Sequence, residues 1–234
     1  MNAIVTGATK GIGRALVMHL AANNYNLALC ARNVEEVEKL TDELETLYPS
    51  LSFYGKAADL EKRSDVEAFA DFSNDNLDIV DLLINNAGLF LPSGLMNEAP
   101  DALERQMQVN VLTPHYLCKF FAKKMIIRKK GHIVNVCSTA SLSLLTGSAS
   151  YSISKGALLS LTRLLREELT PSGIRVTAVL PGATLTDSWS GTTIPADRFV
   201  LPEDVAKAVF NAISMSDGAN VDEIIIRPLK SLDN

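Results

Sequence analysis

Residues 2–13 read NAIVTGATKGIG, an apolar run followed by three glycines in the spacing GxxxGxG. The apolar run predicts a buried strand over 2–6, and the residues after it predict a helix over 11–23. Glycines at a strand-to-helix turn let backbone amides approach a pyrophosphate, and the helix N-terminus adds a favourable dipole. The GK[ST] ending of a nucleotide-hydrolysing P-loop is absent, so the stretch indicates a dinucleotide site instead.

Apolar runs and amphipathic stretches alternate along the rest of the chain. We predict further strands over 26–31, 51–57, 79–85, 132–138, 174–180 and 223–227. We predict further helices over 34–47, from about 64, and over 101–128, 151–169 and 202–214. Continuous apolar strands separated by helices are typical of a parallel sheet covered on both faces. The expected fold is α/β, with a doubly wound, Rossmann-like parallel sheet of about seven strands and helices on both faces.

The domain organisation and two helix starts are also predictable. No Pro/Gly/Ser-rich linker interrupts the alternation, so residues 1–234 are expected to form a single domain. Asn33, with Glu36 three residues later, is typical of a helix N-cap. Ser64 and Glu67 have the spacing of a capping box.

Composition excludes several function classes. The chain has 22 Lys and Arg against 27 Asp and Glu, a net charge of −5, so no basic surface for nucleic acid or an anionic membrane is expected. No apolar run approaches the roughly 18–20 residues of a membrane span, and no secretory signal is expected. The cysteines form no CxxC pair and are expected to be core thiols in a reducing cytoplasm: Cys30, Cys118 and Cys137. The histidines lack ligand spacing, so no metal is expected: His19, His115 and His132.

Four residues are candidates for chemistry. Tyr151 and Lys155 are four residues apart on a predicted helix and share one face. Ser138 ends the fifth strand, at the edge where doubly wound sheets bind ligands, although a serine there also caps turns. Asn110 is a poor residue for a helix interior, and Pro114 has no N–H to give to the Asn110 carbonyl. That carbonyl could hold a water at a local kink; an ordinary kinked helix is the alternative.

These motifs together resemble those of the short-chain dehydrogenase/reductase family. The resemblance runs in order over about residues 3–187: Thr6 to Gly13, Asn85-Asn86-Ala87-Gly88, Asn110, Ser138, Tyr151 with Lys155, and Pro181-Gly182. It implies that Tyr151 is the general acid in reduction and the general base in oxidation. Lys155, with the positive nicotinamide, would lower the pKa of Tyr151 and would bind the ribose. Ser138 would polarise a substrate carbonyl, and Asn110 would hold a relay water.

The resemblance also implies a nicotinamide cofactor and its binding residues. They are Gly7, Thr9, Lys10, Gly11, Ile12, Gly13, Arg32, Asp59, Leu60, Asn86, Ala87, Gly88, Tyr151, Lys155, Pro181, Gly182, Thr184 and Thr186. Asp59 would contact adenine, or else would serve only its own loop. The second strand ends in Ala31, where NAD-preferring members carry Asp, and Arg32 and Lys10 suit a 2′-phosphate. The preferred cofactor is therefore NADP(H), unless both cations are simply solvated.

The predicted function is hydride transfer between NADP(H) and a small-molecule carbonyl or alcohol. Residues 185–201 would form the substrate loop, in which Trp189, Ile194 and Pro195 meet Phe90, Leu91, Leu142 and Leu144 in an apolar pocket. Oxoacyl thioesters, small ketones or hydroxy acids, and ring ketones all remain possible substrates. An NADP-binding sensor with little turnover is the alternative function, and an epimerase is disfavoured by the chain length. A homodimer or homotetramer is expected, although no glycine-rich tail follows the last strand to support a tetramer.

Overall fold

Strands and helices alternate along residues 1–230, the part of the chain that the computed structural model describes. The strands are β1 (Asn2–Thr6), β2 (Asn26–Ala31), β3 (Phe53–Ala57), β4 (Leu82–Asn85), β5 (Gly131–Val136), β6 (Ile174–Pro181) and β7 (Glu223–Ile226). The helices are α1 (Gly11–Ala22), α2 (Val34–Leu47), α3 (Arg63–Asn76), α4 (Ala102–Met107), α5 (Thr113–Arg128), α6 (Ala149–Leu169) and α7 (Pro202–Ile213). The last four residues of the predicted domain and of its C-terminal tail lie outside this described part.

The strands form one parallel sheet in the order β3-β2-β1-β4-β5-β6-β7. The chain turns back at the centre of the sheet, because β2 and β3 lie on one side of β1 and β4 to β7 lie on the other. In such sheets the crevice for a ligand opens at the carboxyl ends of the strands at this switch point. The predicted doubly wound α/β fold is confirmed.

The core lies in two layers because alternate strand residues point to opposite faces of the sheet. Val5 packs in the layer formed with α1, α2 and α7. Its neighbour Ile4 packs in the layer formed with α3, α5 and α6. Both side chains are fully buried, which explains why the central strands are apolar throughout.

The predicted bounds of β1, β2 and α2 match the structure, and one of the two predicted helix caps is correct. The Asn33 side chain accepts a hydrogen bond from the Glu36 amide at 3.0 Å. The Ser64 capping box is wrong, because α3 begins at Arg63 and Ser64 already lies inside its first turn. Glu67 instead receives a hydrogen bond from Arg63 at 2.6 Å.

The long helix predicted over 101–128 is interrupted between α4 and α5. Residues Gln108–Leu112 form a π-helical turn, in which the Thr113 amide donates to the Gln108 carbonyl. Pro114 stands at the start of α5, where its missing N–H removes a normal helical hydrogen bond. π-Helical turns inside α-helices often mark functional sites, and this one carries Asn110.

Within residues 1–230, no helix has both the length and the apolar composition that crossing a membrane requires. The same residues contain no group of three or more His, Cys, Asp or Glu side chains arranged to hold a metal ion. The three cysteines are buried and unbridged.

Candidate active site

A cavity of ≈ 920 Å³ opens at the carboxyl ends of the central strands. Every residue predicted to bind the cofactor lines it, and so does Ser138. Asn110 is absent from its wall and lies fully buried behind Gly88. The geometry therefore brings the predicted residues from all along the chain to one crevice.

The glycine loop forms a cradle that side chains would fill. Gly7 and Gly11 have φ angles of 65° and 49°, a region that favours glycine. A Cβ atom on Gly13 would lie 1.9 Å from the Gly7 carbonyl oxygen. Without side chains on these glycines, the backbone of the loop is accessible next to the N-terminus of α1, which suits the pyrophosphate of a dinucleotide.

Asn86 holds the glycine loop against the end of β4. Its side-chain amide donates to the carbonyl oxygens of Thr6 and Gly7, both at 3.0 Å. In return, the Thr6 hydroxyl accepts the backbone N–H groups of Asn86 and Ala87 at 3.0 Å. We call these four hydrogen bonds the Asn86 clamp; through them the shape of the loop depends on a strand far away in sequence.

The far end of the cavity carries charged pairs. Lys10 Nζ lies 2.7 Å from Glu36 Oε1, and Thr9 also donates to that carboxylate at 3.1 Å. The Lys10 partner lowers the pKa of the Glu36 carboxyl. Arg32 lies 4.0 Å from Glu61, which Arg105 already holds at 2.7 Å.

Neither carboxylate at this end, Glu36 or Glu61, was predicted from the sequence to line the cavity. Glu36 had been named only for its spacing from the helix N-cap Asn33, and nothing in that spacing pointed to Lys10. Asp59 lines the same end, but its carboxylate accepts the Glu61 amide at 3.2 Å and lies 3.4 Å from Lys62 Nζ. Asp59 therefore has partners in its own loop, and its contact with adenine stays a prediction.

Ser138, Tyr151 and Lys155 meet at the other end of the cavity. Ser138 follows β5 and accepts the Ala140 amide at 3.1 Å, so it also caps the short turn Thr139–Ser141. Its side chain is hydrogen-bonded to Tyr151. Lys155 Nζ donates to the Val136 carbonyl at 2.8 Å and lies 5.9 Å from the Tyr151 ring centre.

The pKa of Tyr151 departs from the sequence-based expectation. Burial raises its pKa above the ordinary value of 10.0, and the hydrogen bond with Ser138 opposes that rise only in part. Lys155 does not lower this pKa in the protein chain alone, and the lowering expected with the positive nicotinamide stays a prediction. Burial also lowers the pKa of Lys155, from 10.5 to about 8. Both shifts have the same cause, because a buried site disfavours the charged form of either group.

The buried ammonium should reduce stability at neutral pH. Below about pH 8 Lys155 is charged in both the folded and the unfolded chain, so folding must bury a charge, which lowers the free energy of unfolding. Between about pH 8 and 10.5 the unfolded chain binds more protons than the folded chain, so the free energy of unfolding rises with pH. Lys155→Met should therefore raise the free energy of unfolding at pH 7 by about 3 kcal/mol, a gain that fades towards pH 10.5. Urea unfolding at pH 7 and pH 10 measures this, with exposed Lys123→Met as control. An equal change at both pH values would contradict it.

The Asn110 side chain is fully engaged. Its Oδ1 accepts the Leu89 amide at 2.8 Å, and its Nδ2 donates to the Leu89 carbonyl at 3.0 Å and to Ser154 Oγ at 2.9 Å. Only its backbone carbonyl is thus left for the water that the sequence analysis placed there, and that water stays a prediction. A Cβ on Gly88 would lie 3.4 Å from Lys155 Nζ and 3.5 Å from Asn110 Oδ1, so a glycine keeps this approach close.

The segment after β6 closes the cavity from above. The Gly182 amide donates to the Ile226 carbonyl at 2.7 Å, which fixes the end of β6 on β7. Thr184 pairs with Val200 and so joins the two ends of the loop 185–201. The Thr186 methyl would lie 2.8 Å from a Cβ on Gly11, and the loop therefore rests on the glycine turn.

Apolar side chains line part of the cavity, as predicted, but only two of the seven residues predicted for the pocket are among them. Phe90 and Trp189 line the cavity, and Phe90 meets the Tyr151 ring edge-on at 4.8 Å and 76°. Leu89, Leu145 and Ser148 also line it and were missed. The residues predicted for the pocket that do not line it are Leu91, Leu142, Leu144, Ile194 and Pro195. Leu142 and Leu144 point outward, with 43% and 85% of their surface exposed.

Comparisons with known proteins agree with this geometry. The chain is 29% identical to an uncharacterised oxidoreductase of Staphylococcus aureus (strain MRSA252), over 97% of this chain and 96% of the relative. It resembles the structure of an alcohol dehydrogenase from the archaeon Thermococcus sibiricus complexed with 5-hydroxy-NADP, with a TM-score of 0.89, 27% identity and coverage of 97% and 96%. It also resembles a metagenomic short-chain oxidoreductase in complex with NADP, with a TM-score of 0.84, 29% identity and coverage of 98% and 97%.

A sequence model of one family covers most of the chain. The short chain dehydrogenase model matches residues 1–194, which include the glycine loop, Ser138, Tyr151 and Lys155. The chain therefore belongs to the short chain dehydrogenase family of oxidoreductases.

Proposed function

We propose that this protein is an NADP(H)-dependent oxidoreductase that transfers a hydride between the nicotinamide and a carbonyl or alcohol substrate. The observation that carries the proposal is the meeting of Ser138, Tyr151 and Lys155 at one end of a cavity that the glycine loop closes at the other. The whole chain would work as one NAD(P)-binding domain, with residues 185–201 as the substrate loop.

The bound cofactor would supply or accept the hydride, and the protein would manage the proton. In reduction, the Tyr151 hydroxyl gives its proton to the carbonyl oxygen as general acid. Ser138 accepts the Ala140 amide and is hydrogen-bonded to Tyr151, and its O–H would donate to the same carbonyl oxygen and polarise the carbonyl. Burial keeps Tyr151 protonated at neutral pH, as a proton donor must be.

Lys155 and Asn110 would support that proton transfer. Val136 occupies one N–H of the Lys155 ammonium, which leaves two for the cofactor ribose and for a water. The Asn110 carbonyl would hold this water, because the Asn110 side chain is committed to Leu89 and Ser154. Tyr151 could then be reprotonated from solvent without opening the site.

The experiment that tests the function is NADPH oxidation, followed at 340 nm, across a panel of ketones and aldehydes. Wild-type turnover that collapses in Tyr151→Phe would support the proposal. NADPH binding without turnover of any carbonyl would instead indicate an NADP-binding regulatory protein, the alternative raised by the sequence.

We also propose a preference for NADP(H) over NAD(H). Ala31 at the end of β2 presents no carboxylate to a 2′-phosphate, while Arg32 and Lys10 line that end of the cavity. The Arg32 side chain is 71% exposed and lies at the limit of ion-pair distance from Glu61, so it is available to a phosphate. The similar structures described above contain NADP or a derivative of it, in agreement with this preference.

Substitutions at this end should shift the cofactor preference in opposite directions. Arg32→Ala should weaken NADPH binding about 10–100-fold and NADH binding little, because charge-assisted hydrogen bonds to a phosphate contribute about 1.5–3 kcal/mol. Glu36→Gln should strengthen NADPH binding, because Glu36 competes with a phosphate for Lys10. Titration of cofactor fluorescence measures both, with exposed Arg63→Ala as control. Equal losses for NADPH and NADH in Arg32→Ala would contradict the preference.

Assembly and location are proposals as well. A homodimer or homotetramer would cover the apolar side chains that α5 and α6 expose, among them Ile127 at 83% and Leu164 at 66%. We also propose a cytoplasmic location, in agreement with three buried, unbridged cysteines.

A further inference from the structure

We propose that the reacting end of the cavity takes uncharged, apolar ketones with an extended hydrocarbon group, and discriminates against carbonyl compounds that carry a carboxylate or phosphate. This inference rests on the proposed function and names its substrate class. In the reaction, one ketone, one NADPH and one proton give one secondary alcohol and NADP⁺. The hydride forms the new C–H bond, the C=O π bond opens, and Tyr151 supplies the proton to oxygen.

The first observation is the apolar wall around the reacting hydroxyls. Leu89, Phe90, Leu145 and Trp189 line the same cavity as Ser138 and Tyr151, and the Phe90 ring meets the Tyr151 ring edge-on at 4.8 Å. Hydrogen bonds hold the backbone on both sides of Phe90. The Leu89 amide donates to the Asn110 side chain, and the Leu91 amide donates to the side chain of the fully buried Gln106 at 3.2 Å. A hydrocarbon group is therefore offered a firm apolar surface directly beside the proton donor.

The second observation is where the charges lie. Lys10, Arg32, Glu36 and Glu61 stand together at the far end of the cavity, in the contacts described above. Asp187 lies 3.8 Å from Lys10 and so belongs to the same charged end. Among the described residues on the cavity wall, Lys155 alone brings a charge to the reacting end, and its buried ammonium is bonded to Val136. A carboxylate or phosphate on the substrate would lose water there without gaining a partner.

The third observation is a set of exposed apolar side chains in the two segments that follow Phe90 and precede Leu145: Leu95, Met96, Leu142 and Leu144. These side chains are 60%, 90%, 43% and 85% exposed. The two segments that carry them touch, because the Ala149 amide donates to the Ser93 carbonyl at 3.0 Å. Exposed apolar groups gathered beside a site require an explanation, and a substrate longer than the pocket provides one.

A matched pair of ketones tests the inference. 2-Octanone and 7-oxooctanoate have the same chain length and differ only in a terminal methyl or carboxylate. We expect wild-type kcat/KM to rise about fourfold for each methylene buried from 2-butanone to 2-octanone. We expect 7-oxooctanoate to be at least about 100-fold worse than 2-octanone, because a charged group is left unpaired.

A variant should reverse part of this preference. Leu145 is 46% exposed on the cavity wall, so arginine can replace it without entering the core. Leu145→Arg should raise kcat/KM for 7-oxooctanoate about tenfold and lower it for 2-octanone. Leu229→Arg adds the same charge at a fully exposed position and should change neither value.

Binding gives a readout that does not need turnover. Trp189 is the only tryptophan and lines the cavity, so its fluorescence reports ligands bound in the cavity. In the presence of NADP⁺, 2-octanone should change that fluorescence at lower concentration than 7-oxooctanoate. If kcat/KM did not depend on chain length, or were equal for 2-octanone and 7-oxooctanoate, the inference would be overturned while the proposed function stands. Tighter binding of 2-octanone without turnover of any ketone would contradict the proposed function and support the apolar site.

Discussion

Tyr151→Phe should lower kcat for ketone reduction by about 10²–10⁴-fold, the contribution that a positioned general acid makes. The substitution removes one hydroxyl and keeps the ring, so the edge-on contact with Phe90 at 4.8 Å is retained. NADPH affinity and melting temperature should therefore change little. Steady-state rates at 340 nm and a thermal melt measure the three quantities together.

Tyr116→Phe is the matched control, since Tyr116 lies on α5 beside Phe120, away from the cavity. It should keep wild-type kcat. The pH dependence gives a further check, because burial raises the pKa of Tyr151. Reduction needs the protonated phenol and should be flat through neutral pH, whereas oxidation needs the phenolate and should speed up as pH rises. A Tyr151→Phe enzyme as fast as wild type would remove Tyr151 from the chemistry.

Gly13→Ala should abolish most NADPH binding. A Cβ there would lie 1.9 Å from the Gly7 carbonyl oxygen and 2.6 Å from Asn86 Nδ2, so the loop or the Asn86 clamp must move. Overpacking of this kind costs about 1–3 kcal/mol of stability. A displacement of about 1 Å at a binding loop is enough to reduce function about 100-fold. We expect at least that loss in NADPH affinity, measured by cofactor fluorescence.

Gly156→Ala makes the same substitution in the interior of α6, where a Cβ meets nothing within 4 Å. It should stabilise the protein by about 0.5–1 kcal/mol, because alanine is the better helix former. The pair separates a close backbone approach from a general effect of removing a glycine. NADPH binding by Gly13→Ala equal to that of wild type would show that the loop does not hold the cofactor as proposed.

The sheet was predictable because its information is local. Each central strand is a continuous apolar run, and β1, β2 and α2 have the bounds that their residues predict. The positions around the cavity were also predictable, because parallel strands bring their carboxyl ends, and the loops after them, to one edge. The family resemblance then indicated which of those loop residues to name.

The features that could not be predicted depend on contacts between residues that are far apart in the sequence, which no local pattern encodes. The ion pair between Lys10 and Glu36 joins a loop to a helix from another βα unit. The pKa of Tyr151 follows burial by the whole domain, which outweighs the hydrogen bond with Ser138. The outward direction of Leu142 and Leu144 is set by the turn after Ser138. The π-helical turn at Asn110 was visible only as a misplaced asparagine and a proline.

The Asn86 clamp has a consequence for the newly made chain. The glycine loop is synthesised before Asn86, yet the carbonyl groups of Thr6 and Gly7 accept hydrogen bonds from this side chain, which lies 80 and 79 residues later in the sequence. A nascent chain that ends at α3 has the glycines but not the hydrogen bonds that hold them open. The dinucleotide can therefore bind only after β4 has paired with β1, and cofactor binding stabilises only chains in which these two central strands are already paired.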